Sequence, residues 1–328
     1  WERWRCRPNV RNQLLSESAF WCHRGWIGET VRGNELRGQR WQEQGNNFSP
    51  HDRRELLALI GELLSGVIER YATLADSGRI ELAVSPYAHP ILPLMLDIQS
   101  AREAMPAVRL PELDFYQGGE ERARWHIREG INVFEQYFRR KPAGCWPSEG
   151  GVSQPALELL ENYGFRWAAT GETVLRNSLH TFSGEAAAAA SDAALKGYRV
   201  DAGKLVCFFR DDNLSDEIGF AYSGWHADDA VANFIHQLEN IASNHKDRRL
   251  AIPVILDGEN AWEHFPENGY YFLRTLYEKL AQHPTLKLST FSECLDDGVE
   301  VASLSKLVSG SWVYGTFSTW IGDRDKNR

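Results

Sequence analysis

Segments typical of β-strands alternate with segments typical of amphipathic helices through most of this chain. The strand-like apolar runs lie at residues 80–84, 143–146, 166–170, 205–209, 250–256 and 286–290. The helical patterns lie at residues 49–78, 122–140, 152–163, 227–243 and 270–283. This order predicts an α/β fold with a parallel sheet and crossover helices. Over about 250–300 residues, a (β/α) barrel is the expected arrangement.

Other segments carry weaker signals. Residues 1–50 show little periodicity and are predicted to be irregular with short helical pieces. Pro50 suits the first position of the helix that follows them. The Ala-rich stretch 184–194 predicts a surface helix or spacer, and residues 308–320 predict an aromatic loop. We therefore divide the chain into a catalytic barrel at 1–300 and the start of a further region at 301–328.

The composition excludes several classes of protein. Hydrophobic residues make up 43% and charged residues 25% of the chain, as in ordinary soluble domains. The net charge of −9 argues against nucleic-acid binding, and no apolar stretch approaches the roughly 20 residues that cross a membrane. Five scattered cysteines lack zinc-binding spacing, and no phosphate-binding glycine motif is present. We expect a cytoplasmic protein without a metal or cofactor.

Acidic residues follow two of the predicted strands. Asp257, Glu259 and Asn260 come directly after the run 250–256, and Glu149 follows the run 143–146 in a loop of Pro, Ser and Gly. The carboxyl ends of strands in α/β folds are where chemistry is placed. Each acid could instead cap a helix or lie in its first turn. From these residues alone, a catalytic role and a helix-capping role both remain open.

Further polar and aromatic residues lie near the same strand ends. His89 follows the run 80–84, and Arg210 with Asp211 follows the run 205–209. His89 could be structural, and Arg210 and Asp211 could form a simple ion pair. Trp262, five residues beyond Asp257, could offer a platform for the apolar face of a sugar ring.

Two convergent carboxylates suit the cleavage of a glycosidic bond. One attacks or stabilises the anomeric carbon, and the other protonates the leaving oxygen. A retaining mechanism needs the carboxyl groups about 5–5.5 Å apart, and an inverting one needs roughly 6.5–9.5 Å. The sequence does not give that separation.

Four ordered motifs resemble glycoside hydrolase family 57. Residues 80–91 resemble its second conserved region, and residues 146–149 its third. Residues 257–263 resemble its fourth region, and residues 310–322 its fifth. Residues 209–220 are also similar to the amylopullulanase-like branch. The resemblance covers the chain from about residue 78 onward.

This resemblance implies a retaining α-glucan-active hydrolase or transglycosylase on an incomplete seven-stranded (β/α) barrel, usually followed by a helical region. It implies that Glu149 is the nucleophile and Asp257 the general acid/base. The implied substrate-binding or supporting residues are Glu81, His89, Trp146, Arg210, Asp211, Glu259, Trp262, Trp312 and Trp320.

The chain departs from the family pattern in two ways. The first conserved region, a His-Gln-Pro motif on the first strand, is absent, and the chain begins at Trp1. We expect a truncated chain that lacks the first strand, with residues 1–50 as an insertion after it. Asp212 stands where related sequences tend to carry His, which could alter a substrate contact.

Two other functions remain open at this point. A metal-dependent polysaccharide deacetylase would need paired Asp and a His-x-x-x-His pattern, but no two His lie four residues apart. A sugar-binding relative without catalytic activity would have the barrel fold but would not cleave the sugar. The sequence does not distinguish hydrolysis from transfer or a preference for α-1,4 bonds from one for α-1,6 bonds. It also leaves the oligomeric state open.

Overall fold

A computed structural model describes residues 8–113, 115–258, 261–325 and 327, with side chains from residue 12 onward. The helices are α1 (Pro8–Gly25), α2 (Glu29–Asn34), α3 (Leu36–Gln44), α4 (Pro50–Ser65), α5 (Val67–Asp76), α6 (Leu92–Leu96), α7 (Ala101–Ala104), α8 (Gly119–Phe138), α9 (Gln154–Asn162), α10 (Glu172–Ser183), α11 (Glu185–Ala188), α12 (Asp212–Asp216), α13 (Ala227–Asn244), α14 (Tyr270–Ala281) and α15 (Phe291–Asp296). The strands are β1 (Gly144–Cys145), β2 (Trp167–Gly171), β3 (Gly197–Val200), β4 (Val206–Arg210) and β5 (Val301–Leu304).

The strands of the described chain form one mixed sheet in the order β1-β2-β4-β3-β5. β1, β2 and β4 run parallel, with Gly144 opposite Trp167 and Gly171 opposite Arg210. β3 runs antiparallel to β4, and β5 runs parallel to β3. The α/β class is confirmed, but an all-parallel sheet was wrong because of β3. A five-stranded sheet is observed where a seven-stranded barrel was predicted, and it includes β5, beyond residue 300.

Successive side chains of a strand point to opposite faces of the sheet, and each face packs against a different set of elements. Ala168 and Cys207 face a core built with α8, α9 and α10. Trp167 and Phe208 face the other side, where Phe291 of α15 packs on both rings, with centroids at 4.7 and 4.5 Å. Every residue of β2 and β4 is buried, because helices or loops cover both faces.

Three of the predicted strands do not form regular strands. The run 80–84 contributes only Val84, which exchanges backbone hydrogen bonds with Gly144 (3.2 Å) and Trp146 (3.0 Å) beside β1. The run 250–256 is not a regular strand, although the carbonyl of Pro253 accepts a hydrogen bond from the residue after β4. Pro253 has no N–H to donate, so a continuous ladder cannot form there. The run 286–290 is also irregular.

The region before the sheet is more regular than its sequence indicates. Residues 8–44 contain three helices. The short helical pieces that were predicted are present as α2 and α3, but the irregular structure predicted around them was wrong for the 18 residues of α1. Their core includes Phe20 stacked on Phe48 at 3.7 Å, with Trp41 edge-on to Phe20 at 5.6 Å. Ser49 caps α4 through a reciprocal pair of hydrogen bonds with Asp52, which confirms the predicted helix start.

The longer helical patterns are confirmed. Those at 122–140, 152–163, 227–243 and 270–283 correspond to α8, α9, α13 and α14. The pattern at 49–78 forms two helices, α4 and α5, which meet at Gly66. In the described residues, no helix is both long and apolar enough to cross a membrane.

Candidate active site

The chain turns sharply after β1 and presents Glu149 at the carboxyl-terminal edge of the sheet. Glu149 lies in the 3-10 turn Ser148–Gly150 with φ 55° and ψ 28°, a left-handed conformation that is uncommon for residues other than glycine. The Thr170 hydroxyl, near the end of β2, donates to the Gly150 carbonyl at 2.5 Å. This bond ties the turn to the neighbouring strand and fixes the position of the carboxylate.

Two ring nitrogens contact the two oxygens of the Glu149 carboxylate. His89 Nε2 lies 3.1 Å from Oε1, and Trp312 Nε1–H donates to Oε2 at 3.2 Å. About a third of the Glu149 side chain is exposed, so the carboxylate remains open to solvent beside these contacts. Residues from three separate motifs of the sequence therefore meet at one carboxylate, which they hold in a single orientation.

The predicted aromatic loop at 308–320 reaches Glu149 by pairing with the segment after β1. Gly310 exchanges two backbone hydrogen bonds with Val152, at 2.8 and 3.0 Å. Two residues later, the backbone N–H of Trp312 donates to the Glu149 carbonyl at 3.3 Å. The loop is thus fixed at both its backbone and its indole ring.

The indole of Trp312 is surrounded by the ends of three strands. Trp146 packs edge-on against it, with ring centroids 5.1 Å apart. Gly171, the last residue of β2, approaches so closely that a Cβ there would lie 2.7 Å from Trp312 Cα. The Arg210 guanidinium lies over the indole, 5.4 Å from its centroid. Trp146, Trp312 and Arg210, all predicted site residues, are therefore brought together.

Arg210 is a buried cation whose donors are occupied by the protein. Its Nε–H donates to the Ile255 carbonyl at 2.9 Å, its Nη1 contacts Asp212 at 2.9 Å, and its Nη2 contacts Asp216. The side chain is 8% exposed. Arg210 thus supports Trp312 and the segment before Asp257, and its charge is neutralised by two carboxylates.

Asp211 serves as a helix cap. Its Oδ1 accepts a hydrogen bond from the Leu214 N–H at 2.9 Å, at the start of α12. Burial raises the pKa of Asp211, and the nearby carboxylates of Glu172 and Asp212 add to the rise. Burial also raises the pKa of Asp212, against the opposing effect of Arg210. The Arg210–Asp211 ion pair considered from the sequence is replaced by pairs of Arg210 with Asp212 and Asp216.

Asp257 follows a segment anchored to the end of β4. The backbone of Ile255, two residues earlier, accepts from Arg210 and donates to Ser215 Oγ at 3.2 Å. Asp257 is half-buried, and Gly258 after it is exposed. Because Arg210 also covers Trp312, this segment lies at the same edge of the sheet as Glu149. Glu259 lies outside the described residues.

Two of the predicted tryptophans pack in hydrophobic clusters. Trp262 contacts Phe265 at 5.4 Å and Phe272 at 6.2 Å, in the core formed with α13 and α14. Trp320 packs on Phe317 and Ile321. Both rings are partly buried, and their described contacts stabilise the fold around the site.

Glu81 lies at the opposite end of the sheet from Glu149. Its carboxylate accepts hydrogen bonds from Trp167 Nε1–H, at the start of β2, and from the Ser292 N–H in the first turn of α15, at 3.0 and 3.1 Å. These contacts join the run 80–84 to β2 and α15. The contacts described for Glu81 are structural, and its substrate-binding role stays a prediction.

Sequence reasoning overlooked the end of β2. Thr170 fixes the Glu149 turn, and Gly171 makes room for Trp312. The signal was present, because Thr170 ends the run 166–170 and Gly171 and Glu172 follow it, much as the other site residues follow their runs. Within the ranges that the structure describes, no group of three His, Cys, Asp or Glu side chains could hold a metal ion.

Comparisons with known proteins agree on one family. The model of glycosyl hydrolase family 57 matches residues 17–304. A 1,4-alpha-glucan branching enzyme of Thermococcus kodakarensis is 20% identical in an alignment 339 positions long, gaps included, which covers 96% of this chain and 46% of that enzyme. The chain therefore spans about half the length of this curated relative.

Several solved structures share the fold of this chain. A branching enzyme from Thermococcus kodakaraensis gives a TM-score of 0.64 at 16% identity, covering 94% of this chain and 63% of that one. An alpha-amylase from Thermotoga maritima gives 0.62 at 15% identity, covering 89% and 62%. A 4-alpha-glucanotransferase from Thermococcus litoralis gives 0.57 at 17% identity, covering 79% and 35%. Since the family model matches most of the chain, the protein belongs to glycosyl hydrolase family 57.

Proposed function

We propose that this protein is a retaining α-glucan-active glycoside hydrolase or transglycosylase, with Glu149 as the nucleophile and Asp257 as the general acid/base. The observation that carries the proposal is the position of Glu149. Its carboxylate stands at the end of β1, partly exposed, with His89 on one oxygen and the Trp312 indole on the other.

A nucleophilic carboxylate must approach the anomeric carbon in a fixed orientation. The contacts of His89 and Trp312 favour such a fixed orientation for Glu149. In the first step, a Glu149 oxygen forms a bond to the anomeric carbon while the bond to the leaving oxygen breaks. The proton that the leaving oxygen requires comes from the acid/base, for which we propose Asp257.

In the second step, the same residue acts as a base. Asp257 takes a proton from water or from a sugar hydroxyl, whose oxygen then replaces Glu149 at the anomeric carbon. Two inversions give net retention of the configuration. Water yields hydrolysis, and a sugar hydroxyl yields transfer. The anchoring of Ile255 by Arg210 supports a fixed position for Asp257.

An α-glucan is the substrate class that we favour. The indoles of Trp146 and Trp312 lie beside Glu149 and are partly exposed, and aromatic rings of this kind pack against the apolar faces of glucose. The related enzymes are named for α-glucan branching, amylase and glucanotransferase activity. Both transfer and hydrolysis are represented among these names, and the proposal includes both.

The test uses Glu149→Gln and Asp257→Asn, assayed on amylopectin and a maltooligosaccharide ladder. We expect each variant to lose about 10³-fold or more in kcat/KM. Glu43→Gln is the matched control, because Glu43 is an exposed glutamate on α3 and its loss should leave activity unchanged. Azide added to a Glu149→Gly variant should yield glycosyl azide of inverted configuration. Wild-type activity in both acid variants would refute the assignment.

The products separate the two reactions within the proposal. Oligomers longer than the starting maltooligosaccharide indicate transfer, and shorter oligomers alone indicate hydrolysis. Digestion of the products by a debranching enzyme then reports any new α-1,6 bonds. Absence of turnover on every α-glucan by the wild-type protein would reject the catalytic proposal as a whole.

A further inference from the structure

A groove lies on the first half of α8, beside the candidate active site. It has a volume of about 950 Å³ and is lined by side chains of both aromatic and charged type. Those that matter here are Tyr116, Gln117, Glu121, Arg122, Trp125 and Arg128. Building on the proposed function, we propose that this groove binds a further stretch of the α-glucan chain outside the catalytic centre.

The aromatic rings of the groove are exposed but held in place. Trp125 and Tyr116 are 41% and 43% exposed, which is high for such large side chains. Tyr87 packs edge-on against Trp125 with centroids at 5.6 Å. Arg122 donates to the Tyr116 hydroxyl at 2.8 Å and lies 5.3 Å from the centre of its ring. Fixed rings lose little conformational entropy on binding.

The polar groups favour a neutral polyhydroxyl ligand. Arg122 and Arg128 supply donors, and the Glu121 carboxylate in the same groove supplies acceptors. Donors and acceptors together match sugar hydroxyls, which both donate and accept. The apolar faces of glucose rings match Trp125 and Tyr116. Arg124 also lines the groove, where it pairs with Glu120, so the lining has a net positive charge. The two exposed rings, which a phosphate group alone would not use, are what favour a glucan chain here.

One short loop, residues 87–89, contacts both α8 at the groove and Glu149. The backbone N–H of Tyr87 donates to the His126 carbonyl of α8 at 2.9 Å, and the His126 ring contacts the Tyr87 carbonyl at 2.6 Å. Two residues after Tyr87, His89 reaches Glu149. Because α8 precedes β1 and crosses back along the sheet, its first turns lie near the edge where the strands end. One polymer can therefore contact both places.

The experiment compares Trp125→Ala with the parent protein by affinity electrophoresis in gels that contain amylopectin. We expect about tenfold weaker binding of amylopectin, as for the loss of a central aromatic anchor. The kcat/KM for the shortest maltooligosaccharide that is turned over should stay unchanged. Trp26→Ala is the control, because Trp26 is 65% exposed and lies outside the groove. Arg128→Gln, which keeps both rings, should weaken amylopectin binding less.

The outcomes separate the groove from the catalytic proposal. Equal amylopectin binding by Trp125→Ala and the parent overturns the inference, and leaves the effect of Glu149→Gln on turnover to judge the catalytic proposal. Weaker binding in Trp125→Ala, with no turnover of any glucan by the parent, supports the groove and rejects the catalytic proposal. Displacement of amylopectin by inorganic phosphate but not by maltooligosaccharides also overturns the inference.

Discussion

Replacing Gly171 by Ala tests whether the position of Trp312 matters for activity. A Cβ at residue 171 would lie 2.7 Å from Trp312 Cα and 3.1 Å from Trp312 Cβ. Ordinary contacts begin at 3.4 Å, so the loop must move by about 0.7 Å. The backbone of Gly171 is extended, with φ −78°, so only this contact opposes alanine. We expect the overpacking to lower the free energy of unfolding by about 1–3 kcal/mol.

The effect on catalysis should exceed the effect on stability. A shift of the Trp312 loop moves the indole N–H that contacts Glu149, and displacements near 1 Å can cost about 100-fold in rate. We expect kcat/KM on a maltooligosaccharide to fall by about 10- to 100-fold. Urea unfolding and initial rates measure the two quantities. Gly61→Ala is the control, since a Cβ there meets nothing within 4 Å. A Gly171→Ala protein with wild-type stability and rate would refute the reasoning.

Two predictions concern carboxylates outside the proposed chemistry. Burial raises the pKa of Asp211, so the ionised carboxylate lowers the stability of the fold at neutral pH. Asp211→Asn can still accept the hydrogen bond from the Leu214 N–H, and we expect urea unfolding to show it at least as stable as the wild type. Asp211→Ala loses this helix cap and should lower the free energy of unfolding by about 1 kcal/mol. Equal losses in both variants would contradict this. Arg248 and Lys196 lower the pKa of Asp192 to about 2, so the stabilisation by its charge is present above about pH 4 and disappears as the pH falls toward 2. Asp192→Asn should cost about 1 kcal/mol at pH 7, and a loss that did not shrink with falling pH would count against it.

Periodicity predicted the helices of this fold better than its strands. α8, α13 and α14 bury one face each, so their apolar residues recur at the helical spacing. β3 and β5 were not predicted, because four residues each give too few alternations to recognise. The run 250–256 has the composition of a buried strand, but Pro253 lacks an N–H and the segment bonds through scattered contacts.

The candidate site likewise contains residues that the sequence predicts and contacts that it does not. Glu149 could be identified from its own loop, because an acid among Pro, Ser and Gly at a strand end is a local pattern. The contact of Trp312 with Glu149 spans 163 residues of sequence and depends on the pairing of Gly310 with Val152. Only the family resemblance joined the two in advance. Burial of Arg210 by two carboxylates depends on packing that no local pattern encodes.

The left-handed backbone of Glu149 has a consequence for how this protein can change under selection. Glutamate in that conformation costs about 1 kcal/mol that glycine would not, and asparagine would lose less. In a library screened only for resistance to heat, position 149 should therefore drift toward Gly or Asn. In a library screened for turnover of glucan, it should stay Glu. The residue found at position 149 would thus distinguish proteins selected for catalysis from proteins selected only for a stable fold.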